Sequence, residues 1–288
     1  MSSHPRGYIS PCDFNACVGK MREFFLSKGF VEVHTQNRMS ILAACEDPDT
    51  IATYNYAGQV WPLPQTGQMW LEYELLKNPS VPGYFCVSTS YRNEPNPVPG
   101  RHEIIFPMFE FELKGGMDEM LQIEKELLTH LGFDKFHTND SGNVEYPEGD
   151  YEDVAREYGV EELDNGHELR LKNEYGPVFF LKNFPNHTSP FWNMCQHDDG
   201  VRAKKVDVIV NGMETIGSAE RSCSPEEMRK MFSTISDGEY AGKLYRLFGQ
   251  ERVDTEMEEF LNFEFFPRSG GGIGITRMIS AMKENGLM

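Results

Sequence analysis

Nothing in the 288 residues reads as a membrane span: the longest apolar runs fall far short of the roughly 20 residues a bilayer-crossing helix needs. The opening MSSHPRGYIS has no charged stretch followed by an apolar one, which excludes an ordinary secretory signal. Positive charge is scarce, with 27 Lys and Arg against 45 Asp and Glu and a formal net charge of -18. Such a field repels phosphate backbones, whose binding rests on neutralisation by Lys and Arg, and argues against tRNA as a main partner. The six cysteines, Cys12, Cys17, Cys45, Cys86, Cys195 and Cys223, include no C-x-x-C pair. Scattered in this way they read as free thiols, mostly small buried residues, in a reducing compartment, which places the chain in the cytoplasm. No internal repeat or long low-complexity linker interrupts the sequence.

What is present suits one large domain or two small ones, either able to bury a full core. Apolar spacing predicts helices over 13–28 (capped by Asp13, ended by Gly29), 69–77, 118–131, 225–248 and 275–283. Strand character appears at 30–33, 84–91, 104–113, 178–181, 206–210 and 261–266, and residues 39–60 read as irregular. Residues 134–175 are polar and acidic, an expected insertion with short helices. Strands crowd the middle with few strand–helix–strand repeats, which predicts an α+β fold with a largely antiparallel sheet flanked by helices.

Two segments carry chemistry. Tyr91-Arg92-Asn93-Glu94 leads through a proline-rich loop to Arg101-His102, and Phe106 and Glu110 follow on the returning strand. Arg92 can clamp a carboxylate or phosphate with two donors, and Phe106 can stack on a purine. An ordinary salt-bridged hairpin reads equally from that segment alone. The second is Ser269-Gly270-Gly271-Gly272-Ile273-Gly274-Ile275-Thr276-Arg277, where glycines allow close backbone approach ahead of a helix N-terminus. Its spacing matches neither the Walker nor the dinucleotide pattern.

Taken together and in this order, the two segments resemble motifs 2 and 3 of class II aminoacyl-tRNA synthetases. Phe24-Phe25 with Gly29-Phe30 and Val31-Glu32-Val33-His34-Thr35 resembles motif 1, which in that family builds the dimer interface. Leu63-Pro64-Gln65-Thr66-Gly67-Gln68-Met69, the strand from Val206 to Glu214 and Ile216-Gly217-Ser218-Ala219-Glu220-Arg221 narrow the resemblance to the asparaginyl/aspartyl type, and Phe184-Pro185 before Phe191-Trp192 fits the asparaginyl pattern. The resemblance implies ATP and Mg²⁺. Arg92 would hold the α-phosphate and the substrate carboxylate, with Glu94 at the adenine or the loop, and Arg101 and His102 would meet the far phosphates. Phe106 and Arg277 would sandwich adenine beside Gly272 and Gly274, and Asp207 and Glu214 would bind the metal. Thr66, Gln68, Glu72, Glu110 and Arg221 would line the amino-acid pocket, Arg221 gripping the β-group.

Several positions depart from that pattern. Leu71 stands where aspartyl enzymes place a lysine, and Glu72 and Met108 are asparaginyl-like. Beside Arg221, Glu72 would suit a neutral amide better than a second carboxylate, since like charges repel. Gln36 replaces the motif 1 proline, Ile105 the glutamate before the stacking aromatic, and Thr276 the acidic residue before the motif 3 arginine. The chain is expected to be a single catalytic domain over 1–288 without an anticodon-binding domain, in the layout of archaeal asparagine synthetase-related proteins. Three readings stay open: an AMP-forming aspartate–ammonia ligase, a reduced asparaginyl-tRNA synthetase-like ligase with tRNA or another acceptor, and a non-catalytic regulatory paralogue.

Overall fold

The computed structural model describes residues 9–35, 38–44, 48–97, 103–188 and 190–288. Helix α1 (Pro11–Ser27) opens the chain. Its cap is Ser10 rather than Asp13: the Ser10 hydroxyl accepts from the Asp13 N–H, and Pro11 occupies the first turn, where no donor is needed. Gly29, at φ +80°, turns the chain into β1 (Val31–Glu32). A hairpin follows, β2 (Thr53–Tyr56) and β3 (Gln59–Pro62), where the sequence read as irregular. Ala57 and Gly58 both take positive φ at its tip, the geometry of a tight two-residue turn.

Next come α2 (Gln68–Lys77), β4 (Gly83–Tyr91), β5 (Ile105–Lys114) and α3 (Met117–Leu131), all close to the expected limits. The polar segment 134–175 contains β6 (Glu148–Asp150), α4 (Tyr151–Tyr158) and α5 (Asn165–Tyr175). Strands β7 (Val178–Pro185), β8 (Arg202–Val210) and β9 (Met213–Glu220) lead to α6 (Pro225–Thr234), α7 (Glu239–Phe248) and α8 (Gln250–Leu261). The strand expected at 261–266 does not form. Leu261 ends α8, a loop follows, and the glycine-rich run itself is β10 (Arg268–Gly274), entering α9 (Ile275–Glu284).

Eight strands make one sheet in the order β1-β4-β5-β10-β9-β8-β7-β6. The six inner strands are antiparallel and the two edge strands pair parallel. Alternation then assigns side chains to two faces. One face, with Phe85, Phe109, Phe111, Val206, Val208, Ile216 and Ile273, packs under α1, α3 and α9. Phe25 of α1 stacks on Phe109 at 5.2 Å, and Phe109 on Phe85 at 5.2 Å. The opposite face is polar, and α2 is seated on it through Leu71, Leu75, Tyr84 and Cys86. A second apolar cluster around Trp192 gathers α6, α7 and α8, and a third binds α4 and α5 to β7. Cys17 and Cys86 are buried, whereas Cys12 and Cys223 are exposed, contrary to the expectation of burial; all described cysteines are free thiols.

Candidate active site

The polar face collects nearly every described residue singled out from the sequence. Strand register fixes the layout: Cys86 lies opposite Glu110 and Tyr84 opposite Glu112; Glu110 lies opposite Gly272 and Glu112 opposite Gly270; Gly272 lies opposite Gly217, and Gly217 opposite Asp207. The glycines of β10 are needed for packing as well as for approach. A methyl on Gly270 would sit 2.3 Å from the Phe111 carbonyl oxygen and one on Gly271 2.8 Å from the Gly217 carbonyl oxygen, backbone contacts that cannot be relieved by a side-chain rotation.

At one end, Thr66, Gly67 and Gln68 run into α2. Glu110, buried, organises this turn: it accepts from the Gly67 N–H at 2.8 Å and from the hydroxyls of Thr66 and Ser88. Burial raises the Glu110 pKa, and these hydrogen bonds with the nearby Arg92 charge pull it back. A side chain at position 67 would strike both Glu110 and Cys86, so Gly67 is needed for the turn to lie this close to the sheet. Glu110 thus holds the segment that would bind a ligand.

Beside it lies a buried charge network. Glu72 is fully buried, not a solvated helix residue. Gln68 Nε2 and Asn193 Nδ2 each donate to Oε1 at 2.7 Å, and Arg268 Nε donates to Oε2 at 2.9 Å. Nη2 of Arg268 stands 2.7 Å from the same oxygen. Three of roughly four acceptor positions of the carboxylate are therefore filled from within the protein. Arg221 lies 3.8 Å from Glu72, as the resemblance implied. Its guanidinium, however, is held by Glu112 through two contacts of 3.1 Å and by the Gly270 carbonyl at 2.9 Å. Burial and the Glu72 charge push the Glu112 pKa up, and Arg221 draws it down; the balance is raised. Leu71 points into the apolar cluster under α2, so it neither supplies nor replaces a charged pocket group.

The nucleotide-type residues converge further along the face. Arg92 lies with its guanidinium 5.7 Å from the Phe106 ring centre. Burial lowers its pKa, as does the neighbouring Arg277, while Glu214, Glu94 and Glu110 oppose this. Those influences put Arg92, Arg277, Glu94 and Glu214 within one electrostatic neighbourhood. Nη1 of Arg277 donates to the Glu214 carbonyl at 2.5 Å, tying α9 to β9. Ile105, at the start of β5, is exposed, and Thr276 is half-buried in the first turn of α9. Arg101, His102 and Gln36 lie outside the described residues.

Asp207 and Glu214 fit a magnesium-type ion. Asp207 is buried, and its Oδ1 has no hydrogen-bond partner among the described residues. A methyl on Gly217 would lie 3.2 Å from Glu214 Oε1 and 3.8 Å from Asp207 Oδ1, so both oxygens face the same glycine. Among the described residues no group of three or more His, Cys, Asp or Glu could hold a metal alone. Two carboxylates suit Mg²⁺, which keeps waters and takes its remaining ligands from phosphates. Burial, then Glu214, raises the Asp207 pKa to about 7 against the pull of Lys205.

Sequence reasoning missed Glu112, Asn193, Arg268 and Lys205. Only the β-strand alternation that puts Glu112 beside Glu110 could have flagged the first.

An eight-stranded, mostly antiparallel sheet with α1, α3 and α9 on one face, and α2 beside arginines and carboxylates on the other, is the catalytic fold of class II synthetases. The family profile described as tRNA synthetases class II (D, K and N) matches residues 14–286, and the chain belongs to that family. It is 23% identical to the aspartate–tRNA(Asp) ligase of Pyrobaculum aerophilum over 96% of its own length and 65% of that protein's. Against the corresponding enzyme of Thermoplasma volcanium it is 22% identical over 90% of its length and 61% of the relative's. The chain thus spans just under two thirds of these curated relatives. Asparaginyl-tRNA synthetase from Pyrococcus horikoshii, solved with asparaginyl-adenylate, superposes with a TM-score of 0.75 at 18% identity, covering 95% of this chain and 64% of that one. Aspartyl-tRNA synthetase from Entamoeba histolytica gives 0.68 at 20% identity over 94% and 54%. Among the described residues no helix is long and apolar enough to cross a membrane.

Proposed function

We propose that the chain activates an aspartate- or asparagine-like amino acid with ATP, forming an aminoacyl adenylate and releasing pyrophosphate. The observation that carries this is that Arg92 feels the charges of Arg277, Glu214 and Glu110 together, Arg277 bonding the Glu214 carbonyl and Glu110 holding the Thr66–Gln68 segment. The substrate carboxylate would attack the α-phosphorus in line, oriented by Arg92. Arg277 and Phe106 would bracket the adenine, and Glu94 would meet its edge or the loop. Asp207 and Glu214 would hold Mg²⁺, which supplies charge neutralisation at the phosphates. No enzyme nucleophile is required; positioning and charge compensation lower the barrier. The amino-acid pocket would use Thr66 and Gln68 for the α-amino group and Arg221 for the side chain.

The acceptor that the relatives favour is tRNA, since the two curated proteins named are tRNA ligases. The ammonia-dependent asparagine synthetase reading has no counterpart among them. A homodimer through the segment around Phe24 to Thr35 accords with this reading. Titration of an ATP analogue by calorimetry tests the nucleotide half of the proposal. Arg277→Ala should lose at least about 2 kcal/mol of binding, the scale of a charge-assisted contact, while thermal unfolding stays near wild type. Unchanged affinity would remove Arg277 from the site.

A further inference from the structure

One wall of the site carries a cation that adenylate formation does not use. Lys205 precedes Asp207 by two residues on β8 and therefore projects from the same face. Its Nζ donates to Asp207 Oδ2 at 2.9 Å and lies 3.9 Å from the centre of the Phe184 ring. Both side chains border a cleft of ≈ 380 Å³ together with Tyr151, Phe184, Glu168 and Glu214. Glu168 Oε2 accepts from the Glu214 N–H at 2.9 Å, which fixes the second carboxylate strand against α5. The other oxygen of Asp207, Oδ1, is buried and has no hydrogen-bond partner among the described residues. One half of that carboxylate is thus satisfied internally, and the other half is open towards Glu214.

We propose that Lys205 is a built-in competitor for the divalent cation of this site. Its ammonium neutralises Asp207 in the metal-free protein. It must move off Oδ2 before a divalent ion is held at full strength between Asp207 and Glu214. A dication bound at ordinary carboxylate distance on Asp207 would stand within about 7 Å of the ammonium. Like charges so close in a partly buried cleft repel strongly. The lysine stem is long and flexible and its side chain is 23% exposed, so the ammonium can swing out towards solvent. The proposal rests on reading Asp207 and Glu214 as the metal pair.

The test is Mn²⁺ binding to the nucleotide-free chain, followed by the electron paramagnetic resonance signal of free Mn²⁺. Lys205→Met removes the charge at similar length and should tighten Mn²⁺ binding at least about tenfold. Lys205→Gln is a second neutral variant should the first fold poorly, with unfolding temperature recorded for each. Lys205→Arg keeps the charge and should bind Mn²⁺ no more tightly than wild type. Asp207→Asn added to Lys205→Met should abolish the gain. Unchanged or weaker binding in the folded neutral variants overturns the proposal, as does a gain that Lys205→Arg shares or that survives Asp207→Asn. Pyrophosphate exchange judges the adenylation reading separately. Exchange without the Mn²⁺ effect defeats only the role of Lys205, and the Mn²⁺ effect without exchange defeats only the reaction.

Discussion

Arg268 lies 196 positions beyond Glu72 and donates into its carboxylate at 2.9 Å, with neither side chain exposed to solvent. Together with Arg221 and Glu112 they form two formal cations and two formal anions, all four buried. Removing one partner from such a set leaves a buried charge uncompensated, which costs about 3–5 kcal/mol, while removing a pair costs far less. Glu72→Gln and Arg268→Met should therefore each lower the urea midpoint sharply, and the double variant should recover much of the loss. A double variant whose loss equals the sum of the two would show that the ion pair contributes no coupling. At this scale the sequence was half legible. Glu72 and Arg221 were found because they sit in recognisable local patterns. Arg268 and Glu112 were not, since an ion-pair partner contributed by a distant strand leaves no local trace. Glu72 was expected to receive a ligand amide; its acceptor positions turn out to be occupied largely from within the protein.

Helix α3 lies against β9 and β10 on the apolar face, and its one ionisable residue turned inward is Glu124, fully buried. Neither of its oxygens has a hydrogen-bond partner among the described residues. Burial pushes its pKa up to about 8; Ser218 beneath it opposes the rise, Asp207 across the sheet adds to it, and Lys125 draws it down a little. The folded protein holds this proton more tightly than the unfolded chain, whose glutamates titrate near 4.3. Stability is therefore full below that value and falls as pH rises towards about 8, by an amount on the order of a few kcal/mol. Glu124→Gln should flatten that decline. Its unfolding temperature relative to wild type should be distinctly more favourable at pH 8.5 than at pH 5, and an equal difference at both values would refute a buried neutral carboxyl. Elements with long apolar periods, such as α1, α3, β4 and β5, were legible within a few residues. Residue pattern alone does not mark Arg268–Gly274 as a strand, because glycines carry no alternation. What makes it a strand is its place between β5 and β9, where at Gly270 and Gly271 only a residue lacking a side chain clears the carbonyls of Phe111 and Gly217. The aromatic run after Leu261 misled in the other direction: Phe263, Phe265 and Phe266 pack sideways onto the α6–α8 cluster from a loop.

For the whole molecule, the α+β class and the largely antiparallel sheet followed from the sparse strand–helix–strand pattern and the ordered motifs. The parallel edge strands and the way 134–175 adds a strand to the far edge did not, because two- and three-residue strands have no period to read. The net charge of -18 argued from sequence against tRNA, and the two curated relatives named are tRNA ligases; net charge speaks to the average field and not to a local patch. Whatever the acceptor, the central claim is formation of an enzyme-bound adenylate, and it is isolated by exchange of labelled pyrophosphate into ATP without any acceptor present. Exchange should require Mg²⁺ and either aspartate or asparagine, should be absent with unrelated amino acids, and should be lost in Arg92→Ala protein that remains folded. Folded wild-type protein that exchanges with neither amino acid would contradict it.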